Sequence, residues 1–500
     1  MRLFEVLLSL ANSLAFLRLI VPRFRRLHRS DYIAPTALLV AIVQILVEGQ
    51  RWQIVPAYVM TLAFFAIWLA GFARRGRMHI NRTASILLRV FGTTMGTLVL
   101  LLSVTLPAAI PVFHFSKPTG PYAIGTVTYH WVDESRPELF TADPYDHREL
   151  MAQVWYPAKR EPAAPRAPYI QDSDAVTPAF ARLTHLPGFS FTHFKYVTTN
   201  AVESAPIADD SASYPVLIFL TGLYGSRSLS TFQVEELVSH GYVVVGLDQP
   251  GVAAMVQFPD GRRISGWPKE DIQPLVEQSV EPQPTALSLY ETLLPNGIMP
   301  YFGQDVSFAL DQLAIVNKSD PIHISAGHID LNQAGAFGIS LGGMTVAQSC
   351  LMDTRLKACL VMDVWMPADV VKAGLKQPTM FITRDANTMR LERQRSGGWT
   401  ERDIALTLGT MRAVYNDLPN NGYYVQIPNM FHVNFTDLPY WSPLTTQAGL
   451  SGPISGRRGF EIVNAYSLAF FDRELKDQTS SLLNGPAKQF PEVSFETRQH

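Results

Sequence analysis

Uncharged apolar runs fill much of the first quarter of the chain. Tyr32 to Val47, Ile54 to Phe72 and Val90 to Phe113 carry no Asp, Glu, Lys or Arg. A bilayer core about 30 Å thick needs about 20 apolar residues in a helix. The last two runs reach this length, and the first reaches it with its flanks. Leu3 to Pro22 is also apolar but contains Glu5 and Arg18. It is expected either as a fourth span or as a helix lying in the interface. A cleaved signal peptide is disfavoured, because no small-residue cleavage site follows and further spans do. Arg23, Arg25, Arg26 and Arg29 follow the first stretch, and Arg74, Arg75, Arg77 and Arg82 lie between the last two runs. Basic loops stay in the cytoplasm. Three spans after Arg29 then place everything beyond Phe113 on the far side, whether or not Leu3–Pro22 crosses.

From about Gly120 the pattern changes to short β-rich runs alternating with helical ones. This argues for a mostly parallel sheet covered on both faces. The expected strands are Gly125–Trp131, Ala152–Tyr156, Pro215–Leu220, Tyr242–Leu247, Ala334–Gly338, Ala358–Met362, Thr379–Thr383 and Tyr423–Ile427. Helical stretches fall near Thr231–Ser239, Gln304–Val316, Gly343–Cys350 and Gly459–Leu475. Val216–Phe219 and Val243–Val245 are continuously apolar, as a doubly covered central strand requires. Two stretches, Lys159–Ser213 and Gln249–Tyr301, are rich in Pro, Asp and Ser and read as long excursions over the sheet. The expected division is a transmembrane anchor at 1–114 and a catalytic domain at 115–500.

Composition adds little. Charged residues are 17% of the chain, below the roughly 25% of an average soluble protein. Lys+Arg at 41 nearly balance Asp+Glu at 43, which gives no footprint for a nucleic-acid partner. Cys350 and Cys359 are the two cysteines. They are expected as small buried apolar residues, with pairing to each other left open.

Gly338-Ile339-Ser340-Leu341-Gly342-Gly343 fits G-x-S-x-G. An apolar strand enters it and a helical stretch leaves it, the setting of a nucleophile elbow. Glycines Gly338 and Gly342 suit a turn too tight for a Cβ. Serine needs a base to take its proton and a carboxylate to orient that base. In this arrangement the chain order is Ser, then Asp or Glu, then His. Asp363 ends the next strand, and His432 follows the strand Tyr423–Ile427. Apart from the terminal His500, His432 is the histidine that lies after both. His185, His193, His240, His323 and His328 precede the nucleophile, and the last two lack a third ligand for a metal. Asp385 is the fallback acid, and Asp437 lies too close behind His432 to be favoured. The oxyanion donors are assigned to the backbone N–H of Leu341 and of Leu223, the latter in Thr221-Gly222-Leu223-Tyr224-Gly225. There Gly222 and Gly225 are read as letting the backbone approach the substrate. The expected fold is an α/β-hydrolase preceded by an all-α transmembrane segment of three to four helices.

These residues resemble the plasma and type II platelet-activating-factor acetylhydrolases and their bacterial, membrane-anchored relatives. The resemblance begins at Pro118-Thr119-Gly120-Pro121-Tyr122 and runs through Val154-Trp155-Tyr156-Pro157 and Ser239-His240-Gly241-Tyr242. Its most specific parts are Gly338–Gly343, Leu360–Met366 and His432–Phe435. In that family the Asp before a Trp-Met pair is the triad acid, which favours Asp363 over Asp385. Two departures stand out. Thr221 precedes Gly222 where the family has His-Gly, and Gln249 follows Asp248 where relatives often carry histidine. The resemblance implies hydrolysis of short or oxidised acyl esters of phospholipids, through an acyl-enzyme and without a metal or organic cofactor. The partners it implies are a lipid bilayer and a small ester, with no obligatory protein partner, in a bacterial inner membrane. A general carboxylesterase, lipase or polyester hydrolase is the alternative enzyme. A membrane sensor or transporter with an inactive hydrolase-like domain is the alternative of another class. Trp267, Tyr290, Tyr301 and Phe302 are expected either to line an acyl pocket or touch lipid, or to pack a cap.

Overall fold

The computed structural model describes residues 1–21, 23–24, 30–73, 82–320, 322 and 326–499. Arg25, Arg26, Arg29, Arg74, Arg75 and Arg77 of the two basic loops, with His323 and His500, lie outside the described residues. The chain forms two compact units, Met1–Phe113 with Trp441–Leu444, and His114–Tyr440 with Thr445–His500.

The first unit holds helices α1 (Leu3–Ile20), α2 (Ile33–Glu48), α3 (Val55–Ala73) and α4 (Arg82–Ala109). Four stretches, Leu3–Ile20, Ser30–Glu48, Trp52–Gly71 and Arg89–Ala109, are long and apolar enough to cross a membrane. Helix α4 stops short of Phe113 because Pro111 disfavours helical backbone at Ile110. The first stretch is a packed member of the bundle. Leu8 clusters with Ala41, Ile54 and Ala57, and Phe16 with Met60 and Phe64. Its two charges are partnered. Glu5 meets Arg51 at 2.7 Å, both side chains fully buried, and Arg18 pairs with Asp31. Arg51 also donates to the Ile110 carbonyl at 2.6 Å. Asn12 donates to Ala57 O at 3.0 Å and accepts from Thr61 Oγ1 at 2.9 Å. Polar groups in an apolar bundle are tolerated when they satisfy one another in this way.

The second unit is built on an eleven-stranded sheet. Its strands are β1 (Ala123–Pro137), β2 (His147–Ala158), β3 (Arg166–Pro168), β4 (Thr198–Glu203), β5 (Tyr214–Leu220), β6 (Val243–Asp248), β7 (Ile329–Ile339), β8 (Leu356–Met362), β9 (Thr379–Thr383), β10 (Gly422–Gln426) and β11 (Ser494–Arg498). The order across the sheet is β11-β10-β9-β8-β7-β5-β6-β2-β1-β4-β3. Strands β6, β5, β7, β8, β9 and β10 run parallel, while β2 is antiparallel to both β1 and β6, and β11 to β10. Helices α5 (Ser173–Leu183), α6 (Thr231–Ser239), α7 (Lys269–Val280), α8 (Met299–Lys318), α9 (Leu341–Met352), α10 (Ala368–Ala373), α11 (Ala386–Ser396), α12 (Glu401–Asn416) and α13 (Gly456–Lys476) complete it.

Alternate residues of one strand feed two cores, as the period of two requires. Val216, Ile218 and Leu220 pack with α7, α8 and α9 on one face, and Leu217 and Phe219 with α6 and α13 on the other. The expected strands and helices are all present. Strands β3, β4 and β11 and helices α5, α7, α10, α11 and α12 were not expected. Helix α11 has no apolar stripe. It is held by its cap, Asp385, whose carboxylate accepts from the Asn387 and Thr388 N–H groups at 2.9 and 3.0 Å.

One reading is corrected. Cys350 on α9 and Cys359 on β8 form a disulfide, with Cα atoms 6.7 Å apart. They are not independent apolar residues. The short turn between helix and strand brings them together. Gly225 is required by its own turn, since a Cβ there would overlap the Thr221 hydroxyl. Of the alternatives for the aromatic residues of the excursion, Tyr301 and Phe302 take packing, and both belong to the core. Phe302 stacks on Phe140 at 5.8 Å, and Tyr301 OH donates to the Pro137 carbonyl at 3.0 Å. Gln249, the departure after β6, faces inward as well. Its amide donates at 2.6 Å to Asp305, which also pairs at 2.7 Å with the wholly buried Arg148. Burial alone would raise the Asp305 pKa, but Arg148 and Arg136 outweigh it and lower the carboxyl below its ordinary value.

Candidate active site

The carboxyl ends of β7, β8, β9 and β10 form a stepped rim. The backbone ladder continues one residue past the strands: Ser340 N–H donates to Met362 O at 3.0 Å, Asp363 N–H to Ile382 O at 2.9 Å, and Ile427 N–H to Thr383 O at 2.9 Å. Ser340 and Asp363 are therefore neighbours on adjacent strand ends.

Ser340 sits at φ 57°, ψ −133°, between β7 and α9. A non-glycine residue held in such a region costs of order 1–3 kcal/mol and needs its surroundings to hold it. The two elbow glycines explain how the turn closes. A Cβ on Gly338 would lie 2.5 Å from the Gly342 carbonyl carbon, and one on Gly342 would overlap the Leu220 and Thr221 carbonyls. The helix end therefore packs directly on the backbone leaving β5. Leu341 begins α9, so its N–H is among those a helix leaves without an intrahelical acceptor. The Leu223 N–H belongs to a turn closed by Gly225 N–H to Gly222 O at 2.9 Å. A Cβ on Gly222 would lie 2.9 Å from Ser340 Cβ, so this turn stands beside the serine.

His432 begins a short 3-10 turn, His432–Phe435. Its Nδ1 lies 2.7 Å from Asp363 Oδ2. A carboxylate can only accept, so Nδ1 is the donor, and in the neutral ring this tautomer places the lone pair on Nε2. Asp363 is fully buried, and its Oδ1 accepts from Thr383 Oγ1 at 2.8 Å. Burial alone would raise its pKa, but the Arg384 guanidinium and the His432 hydrogen bond outweigh that and hold the carboxyl well below the usual range.

The other candidates are accounted for elsewhere. Asp385 caps α11. Asp437 accepts the Thr231 and Phe232 N–H groups at the start of α6, at 2.9 and 3.0 Å. His240 is 3.3 Å from Glu236, and His185 is exposed. No group of three His, Cys, Asp or Glu residues suited to a metal occurs among the described residues. Sequence reasoning missed Thr383, Arg384, Glu392 and Trp399, which surround Asp363 and His432. The available signal was Arg384 at the end of β9, one step along the same rim.

A mostly parallel sheet covered on both faces, with a serine at a strand–helix elbow and a carboxylate–imidazole pair on the neighbouring strand ends, is the layout of the α/β-hydrolase class. The profile of platelet-activating factor acetylhydrolase, isoform II, matches residues 112–258 and 311–488. The chain belongs to this family. It is 25% identical to the "Probable 1-alkyl-2-acetylglycerophosphocholine esterase" of Arthroderma benhamiae, over 77% of this chain and 94% of that one. It is 22% identical to the platelet-activating factor acetylhydrolase of Cavia porcellus, over 76% and 84% respectively. Among solved structures, a ferulic acid esterase from Streptomyces cinnamoneus superposes with a TM-score of 0.59 at 24% identity, covering 77% of this chain and 99% of that one. The protein is a carboxylic ester hydrolase. The alternative of an inactive hydrolase-like domain in a sensor or transporter is set aside.

Proposed function

We propose that Ser340, His432 and Asp363 are the catalytic triad of an esterase acting on short or oxidised acyl groups of phospholipids beside a membrane. The observation that carries this reading is the 2.7 Å contact of His432 Nδ1 with Asp363, on the strand end next to Ser340. His432 Nε2 takes the Ser340 proton as Oγ attacks the ester carbonyl. Asp363 fixes the imidazole and stabilises its cation. The Leu223 and Leu341 N–H groups bind the oxyanion. His432 then protonates the leaving alcohol, and water repeats the cycle on the acyl-enzyme. The substrate class rests on the family, whose curated relatives are named for acetyl esters of glycerophosphocholine. The test is a panel of phosphatidylcholines with acyl groups of increasing length at the second position, set against simple nitrophenyl esters. Preference for short or oxidised acyl phospholipids supports the reading. Equal or better turnover of the simple esters removes the phospholipid assignment.

The four apolar stretches are proposed to anchor the chain in a bacterial inner membrane, with the hydrolase on the extracytoplasmic side. The disulfide favours this side, because such bonds persist in oxidising compartments. Alkylation of membrane-embedded protein, quenched and denatured without reductant, is expected to leave Cys350 and Cys359 unmodified. Two reactive thiols in that experiment would place the domain in the cytoplasm.

A further inference from the structure

Asp363 is shared between two partners. Its Oδ2 accepts from His432 Nδ1, and the same oxygen lies 2.9 Å from Nε of Arg384. Arg384 is fully buried. Its guanidinium also pairs with Glu392 on α11. Glu392 in turn accepts the His432 backbone N–H at 3.1 Å. The Arg384 guanidinium lies 4.3 Å from the centre of the Trp399 ring, and that ring meets the imidazole at 5.0 Å. Arg384 therefore touches all three groups that hold His432: the carboxylate, the backbone anchor and the covering ring.

The proton transfers described above do not require a cation behind the acid. Placing one there changes the balance of charge. Asp363 stabilises the imidazolium, and a guanidinium on the same oxygen weakens that pull. Glu392, on the other side, restores part of it. We propose that Arg384 is a positioning residue that sets the protonation balance of His432 through Asp363, with Glu392 as counterweight, and so fixes the acid edge of the working pH range. The inference rests on the triad reading. Behind the Trp399 ring, Arg393 donates to the Trp399 carbonyl at 3.2 Å and pairs with Glu401 at 2.8 Å, so its charge is already matched. Tyr424 on β10 is a neutral phenol, pushed by burial up to about 12. Asp437 and Asp385 are turned to the N-termini of α6 and α11. Helix α9 carries no Asp, Glu, Lys, Arg or His.

The test is kcat/KM against pH for the full-length protein in membranes. Arg384→Leu removes the cation, favours the imidazolium, and is expected to move the acid limb up by about one pH unit. Glu392→Gln removes the counterweight and moves the limb the other way. Arg384→Lys keeps the charge and is expected to keep the wild-type limb, even where kcat falls. A purely structural role lowers kcat in all three and leaves the limb where it was. That outcome overturns the proposal. Should Arg384→Leu not fold, Glu392→Gln decides alone, since a limb that does not fall refutes the counterweight. Labelling by a fluorophosphonate separates this from the triad reading. A wild-type protein labelled elsewhere than Ser340 sinks both, whereas normal labelling with unmoved limbs sinks the role of Arg384 alone.

Discussion

Ser340→Ala is expected to lower turnover on the order of a millionfold, as serine loss does in other triads. The variant should still fold. Alanine keeps the Cβ at φ 57°, so the backbone cost of the elbow is unchanged, and the ladder bond from residue 340 to Met362 O uses only main-chain atoms. Hydrolysis of p-nitrophenyl acetate and a thermal melt, run side by side, check both halves. Full activity with a normal melt would mean that another nucleophile works in this domain.

Asp363→Asn is expected to cost about 10⁴ in kcat, because the amide cannot hold the imidazole in the tautomer that leaves Nε2 free. Stability moves as well. The carboxyl is held low in the folded state. Its stabilising contribution is therefore complete above the ordinary carboxylate pKa of about 4. It is lost as pH falls through the depressed folded value. The stability gap between the wild type and Asp363→Asn should therefore narrow in acid. Asp385→Asn is the control. It weakens the α11 cap by about 1 kcal/mol or less and should leave kcat close to the wild type. The reverse pattern would move the acid to Asp385.

The triad candidates were readable because each obeys a rule of chain order and strand ends. Ser340, Asp363 and His432 all follow short β-rich runs of the kind a parallel sheet uses. The long apolar helices were readable from length and apolarity, except α1. Its Glu5 and Arg18 looked like reasons against burial until their partners, Arg51 and Asp31, came into view. The Arg384 cluster could not be read. Its members lie on β9, α11 and the loop before α12, and nothing in local periodicity joins Glu392 to His432 across 40 residues. Strand β11 was missed for a related reason. Ser494–Arg498 alternates as an edge strand should, but it pairs with β10 from the far end of the chain.

The excursion after β6 is stitched to the turn that carries Leu223. Tyr224 N–H reaches Val252 O at 2.8 Å, Ala254 N–H reaches Gly225 O at 2.9 Å, and Tyr224 OH reaches Trp267 O at 2.7 Å. Under the role proposed for Leu223, such a segment cannot swing away as a lipase flap would without moving that N–H with it. The turn beside Ser340 and the excursion after β6 are thus tied into one piece by main-chain and side-chain hydrogen bonds, and any displacement of one is shared by the other.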